Sequence, residues 1–118
     1  MKIPKRILER RRSIRIDEVL PFKIGHAGYS IETETVNISA HGVMCRIDRE
    51  IPMMTRLDIA LQIPNAKAAV RHLKMKGVVV RKEADPHSDK FFIAIYFSRI
   101  GEADQKVLND FIEARVRP

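Results

Sequence analysis

The most regular stretch of the chain is Arg56–Ile63, where Leu57, Ile59, Leu61 and Ile63 alternate with Arg56, Asp58, Ala60 and Gln62. Successive side chains of a strand point to opposite faces, so this two-residue period predicts a strand with one dry and one wet face. Ile31–Ile38, rich in β-branched residues and free of breakers, reads as a second strand of that kind. Val19–Gly25 and Val43–Ile47 are shorter apolar-rich strands, and Pro21, which has no N–H for a ladder, suits an edge position for the first. Val70–Lys82 is a long strand in which Gly77 marks a bulge or a close approach. Phe91–Phe97 is apolar at nearly every position, the mark of a buried strand. The separators are turn-like: His26–Ser30 around Gly28, Asn37–Gly42, the loop 49–55 around Pro52, Pro64–Lys67 and Asp85–Asp89.

After Gly101 the period changes. Ala103, Val107, Leu108, Phe111, Ile112 and Val116 recur at helical spacing, which predicts an amphipathic helix over 102–116. Six short strands followed by one helix indicate a mainly β fold, a small antiparallel barrel or sandwich with the helix packed on it. A chain of 118 residues suits one domain.

Charge sharpens that outline. The formal net charge is +7. Residues 1–15 hold seven basic side chains against Glu9 alone, whereas 16–118 hold 15 basic and 14 acidic ones. The expected organisation is therefore a flexible basic arm over 1–16 and a nearly neutral domain over 17–118. Concentrated positive charge points to an anionic partner gripped locally, not to a field over the whole surface. No segment approaches ~18 consecutive apolar residues, so no transmembrane span is expected. The basic N-terminus is followed by no signal-peptide core, and Cys45 has no partner for an intrachain disulfide, so a cytoplasmic location is expected. The four histidines show no metal-ligand spacing with Cys45 or one another, and no nucleophile has a matched base, so neither a metal site nor an enzyme is expected.

Two motifs carry candidate chemistry. Arg10-Arg11-Arg12-Ser13-Ile14-Arg15 contains Arg11-x-x-x-Arg15, and about 25 residues on comes Asn37-x-Ser39-x-x-Gly42. Each alone is weak: the first is common in basic chains, and the second is an ordinary turn composition. In this order, ahead of and within a strand series that ends in a helix, they resemble the PilZ domain family. That resemblance spans almost the whole chain and implies a six-stranded antiparallel β-barrel with a C-terminal helix. It also implies a ligand, the bacterial second messenger cyclic di-GMP. Residue chemistry agrees with such a ligand. An arginine fork can hold a phosphate bidentately or match the O6/N7 edge of guanine. The Asn37 amide can bond a guanine edge, the Ser39 hydroxyl a base or phosphate, and Gly42 allows an approach that a Cβ would block.

By resemblance, Arg11 and Arg15 bind phosphate and guanine, and Asn37, Ser39 and Gly42 form the second wall. An arginine directly before the first motif, here Arg10, is associated in that family with two intercalated cyclic di-GMP molecules in one site. Arg12 adds a candidate phosphate contact, and Arg81, at the end of Val78-Val79-Val80-Arg81, matches a family position that stacks on a guanine. Two departures stand out: Asn37 where aspartate is common, and Ala94 where glycine is frequent. The functional expectation is a receptor whose arm orders on the ligand and so signals to a downstream protein. Two competing readings are an adaptor of the same fold that has lost ligand binding and a nonspecific nucleic-acid binder. The second is disfavoured by an aromatic content of 6%.

Overall fold

The computed structural model describes residues 14–64 and 70–116. Six strands follow one another as β1 (Pro21–His26), β2 (Tyr29–Ile38), β3 (Gly42–Ile47), β4 (Arg56–Pro64), β5 (Val70–Ala84) and β6 (Phe91–Ile100), and a single helix, α1 (Glu102–Val116), ends the fold. All pairings are antiparallel, and the order β1-β2-β3-β6-β5-β4 closes on itself through Phe22↔Leu61 and Ile24↔Ile59. The alternating pattern explains the closure. Each strand has one apolar face, and rolling the sheet buries all of these faces at once while leaving no edge exposed. Ile24, Leu57, Leu61, Ile63, Leu73, Ile93 and Ile95 face inward and are almost fully buried. Each such side chain contributes about 1.5–3 kcal/mol relative to its exposed state.

Closure also corrects the expectation for Pro21. The first strand is not at an edge, since it pairs with both β2 and β4. Pro21 is tolerated because it is the strand's first residue: it pairs with Glu34 on one side, and the β4 ladder begins only at Phe22. The β1–β2 hairpin turns through Ala27 and Gly28, both with positive φ (50° and 83°), the backbone of a two-residue turn that follows the natural strand twist. Gly77 is a point of close approach, as expected. A Cβ there would lie 2.5 Å from Ile95 Cγ2 and 2.6 Å from Ile59 Cδ1.

The helix buries Leu108, Phe111 and Ile112, which join the same core as the barrel side chains. Glu102 and Asp104 in its first turn and Arg115 in its last complement the helix dipole. Polar contacts fix its direction: Asp104 Oδ2 accepts from the Lys74 backbone N–H (3.3 Å), Gln105 Nε2 donates to the Ala40 carbonyl (3.0 Å), and Arg115 Nε donates to Glu18 Oε1 (2.7 Å). Cys45 points into the core between Met44 and Arg46, fully buried, and burial pushes its thiol pKa up to about 12. No helix among the described residues is long and apolar enough to cross a membrane.

Candidate ligand site

The chain enters the barrel beside the end of β2. Ile16 and Ile38 exchange two backbone hydrogen bonds, 2.9 and 3.0 Å, as an isolated antiparallel bridge. Further along, the buried Thr35 hydroxyl accepts from the Leu20 N–H (2.9 Å) and donates to the Glu18 carbonyl (2.5 Å). These bonds fasten 16–20 against β2 and leave Arg15 at the rim. There Arg15 Nη1 donates to Asn37 Oδ1 at 2.9 Å. The last residue of one motif thus touches the first residue of the other, across 22 positions of sequence. Arg10, Arg11 and Arg12 lie outside the described residues.

The sequence places Asn37 both at the end of the strand Ile31–Ile38 and at the start of the turn Asn37–Gly42; in the structure it belongs to β2 and pairs with Met44. The cause is a bulge. Thr35 pairs with Cys45 and Asn37 with Met44, so Val36 is the extra residue. A regular ladder would have set Asn37 opposite the inward-facing Val43, with its amide in the core. The bulge turns it outward instead. A second bulge does the same for Arg81. Val79 pairs with Ile95 and Arg81 with Ala94, leaving Val80 as the extra residue; without that shift Arg81 would oppose the buried Ile93.

The two bulges put their side chains in one outer row. Asn37 pairs with Met44, Met44 with Ala94, and Ala94 with Arg81, across β2, β3, β6 and β5. Three strand spacings make this row about 14–15 Å long. Asn37 Nδ2 lies 3.8 Å from Met44 Sδ, and Ala94, smaller than Met44 and Arg81 on either side, makes a low point between them. Arg81 is exposed and is held by Glu83, whose Oε1 accepts from Nε (2.9 Å) and Nη2 (2.5 Å). The row therefore offers an amide and two guanidinium forks at its ends and an apolar floor between. That suits a flat anionic molecule with hydrogen-bonding edges.

Ser39 and Gly42 are placed differently. Ser39 is 2% exposed, its N–H donates to the Gly42 carbonyl (2.9 Å), and its hydroxyl donates to the same carbonyl (3.3 Å) while accepting from the His41 N–H (3.3 Å). Gly42 is buried against β6, where a Cβ would sit 2.6 Å from the Ile95 carbonyl oxygen. In this structure both residues build the tight turn that carries Asn37 and Met44. Met44 and Glu83 are participants that composition did not reveal: the pairing register brings Met44 to the row, and Glu83 reaches Arg81 from two residues along β5.

A family model for the PilZ domain matches residues 9–114. The chain belongs to the PilZ domain family. Among solved structures, the Bacillus subtilis inhibitor of motility (MotI/DgrA) is similar over 90% of this chain and 51% of its own, with 28% identity and a TM-score of 0.81. This chain spans about half the length of that protein. The PilZ domain with c-di-GMP of YcgR from Escherichia coli is similar over 90% and 92%, with 14% identity and a TM-score of 0.59. The Borreliella burgdorferi PlzA protein in complex with c-di-GMP is similar over 92% and 53%, with 10% identity and a TM-score of 0.61. At such identities the last two speak to the shared PilZ barrel alone. No curated protein matches the sequence significantly.

Proposed function

We propose that this PilZ domain is a non-enzymatic cytoplasmic receptor for cyclic di-GMP. The observation that carries the reading is the 2.9 Å contact between Arg15 and Asn37, which joins the two motifs at the end of an outer row closed by Arg81. The presence of c-di-GMP in the YcgR and PlzA structures supports the choice of ligand. Arg11 and Arg15 take phosphate and guanine, Asn37 a guanine edge, and Arg81 stacks on a base after leaving Glu83. Arg10 favours two intercalated molecules, and Arg12 adds a phosphate contact. Ser39 and Gly42 belong to the site as the turn that sets Asn37 in place.

The signal is the arm. Ligand neutralises the arginines of residues 1–15, draws that segment onto the row, and changes the surface presented to a downstream protein. This works only if the ligand binds the closed arrangement better than the open one. The adaptor reading, in which ligand binding is lost, draws on the Arg81–Glu83 pair, which already satisfies one end of the row.

Titrating cyclic di-GMP into the full chain by calorimetry decides between them. Binding tighter than tens of micromolar (about −6 kcal/mol) with two molecules per chain supports the receptor and the role given to Arg10. Absence of heat at that concentration sinks it in favour of the adaptor.

A further inference from the structure

A second outer surface lies on another sector of the barrel. Lys23, Ala60 and Lys74 form one cross-strand row over β1, β4 and β5, and Asp58, Lys76 and Arg99 form the next over β4, β5 and β6. Ala60 is again the small residue between long ones. With Ile59, Met75 and Ile100 it lines a mostly apolar groove of about 580 Å3 that the four cations and Asp58 also line. The described residues hold 14 basic and 14 acidic side chains, so this groove concentrates positive charge on a body that is neutral as a whole. Two of the cations have acidic neighbours: Lys76 pairs with Asp58, and Lys23 lies 3.9 Å from Glu32. Among the described residues neither Lys74 nor Arg99 has an ion pair, although Asp104 accepts from the Lys74 backbone N–H.

We propose that this groove docks an acidic segment of a partner protein, with one apolar side chain seated over Ala60 and Ile100 and carboxylates on Lys23, Lys74 and Arg99. Charge complementarity selects the occupant and would speed its encounter. A flat anionic bilayer fits poorly, because none of the exposed large hydrophobic residues that could insert into it lines the groove. A nucleic acid fits poorly as well, because no aromatic side chain lines the groove for a base to stack on. The groove is separate from the Asn37–Arg81 row, but β5 and β6 run through both, so the docking face and the row share two strands. The proposal stands independently of cyclic di-GMP binding.

The test uses the isotope-labelled full chain and a fluorescein-labelled peptide of Glu and Leu at helical spacing. The expected result is binding with amide shifts at Lys23, Ala60, Lys74 and Arg99. The double change Lys74→Glu/Arg99→Glu should weaken it at least tenfold with the melting temperature and the cyclic di-GMP titration unaltered, and the milder Lys74→Ala/Arg99→Ala should weaken it less. Several outcomes would overturn the proposal. They are no peptide binding, undiminished binding by folded variants, shifts elsewhere on the barrel, equal binding once Leu is replaced by Ser, and preference for phosphatidylglycerol vesicles or single-stranded DNA.

Discussion

The β4–β5 ladder and the β2–β3–β6–β5 face are built from the same kinds of residue by opposite rules. β4 and β5 pair without interruption from Arg56↔Val78 to Pro64↔Val70, and β4's four inward residues, Leu57, Ile59, Leu61 and Ile63, are all below 4% exposure. The other face is interrupted by three register shifts, at Thr35/Asn37, Lys76/Gly77 and Val79/Arg81, and the first and last of these turn Asn37 and Arg81 outward. An uninterrupted ladder maximises hydrogen bonding and burial but can present only what the two-residue alternation dictates. An interrupted one gives up regularity to aim chosen side chains. Stability should therefore respond most to changes on the first face, and ligand affinity to changes on the second.

Leu61→Ala is the severest test of this division. It opens a cavity in the regular sector and should cost about 2–5 kcal/mol of unfolding free energy by denaturant titration. The folded fraction should still bind cyclic di-GMP with unaltered affinity, and a parallel loss of affinity would break the comparison. Arg15→Ala is its converse. Loss of a charge-assisted contact should cost about 1.5–3 kcal/mol of binding, roughly ten- to hundredfold in Kd. The melting temperature should stay put, because Arg15 is exposed and, among the described residues, its side chain bonds Asn37 alone.

Gly42→Ala sharpens the boundary between the faces. Its Cβ would press on the backbone of β6 rather than on a movable side chain, so overpacking should cost about 1–3 kcal/mol of stability. If the change lowered affinity alone, Gly42 would be a ligand contact and not a packing residue.

The smallest expected effect concerns Asp85, in the β5–β6 turn. The His87 N–H (2.9 Å), the Ser88 hydroxyl (2.9 Å) and the Arg46 guanidinium (3.5 Å) all favour its charged form, and its pKa lies below the ordinary 3.8. A carboxyl lowered on folding stabilises above its unfolded value, and that contribution disappears as pH falls through the folded one. Melting temperatures from about pH 6 to about pH 2 should fall more steeply for the natural chain than for Asp85→Asn. Equal slopes would remove Asp85 as a source of acid sensitivity.

Much of the barrel was legible in the sequence because burial imposes the period of two. Leu57 to Ile63 announce their strand, and α1 spans the residues that helical spacing predicts. The motifs were legible as composition but not as geometry. Nothing in Thr35-Val36-Asn37 distinguishes a bulge from a strand end, so the shift that turns Asn37 outward was hidden. Ser39 and Gly42 read as ligand contacts because small polar turns suit a ligand, and the packing of Gly42 against the Ile95 carbonyl was not legible beside that. The basic groove was hidden for another reason. Lys23, the Lys74–Lys76 pair and Arg99 are far apart along a stretch whose charges nearly cancel, and strand pairing gathers them.

The burial of Cys45 has a practical consequence. It is the chain's single cysteine, and with a thiol pKa near 12 it is almost entirely protonated and sheltered at neutral pH. A fluorophore or spin label aimed at thiols will pass it by. A reporter cysteine introduced at exposed Val80, beside the row, would then be the sole point of attachment in the natural background. One labelled at a rim position of the basic groove would report from the other sector of the same barrel.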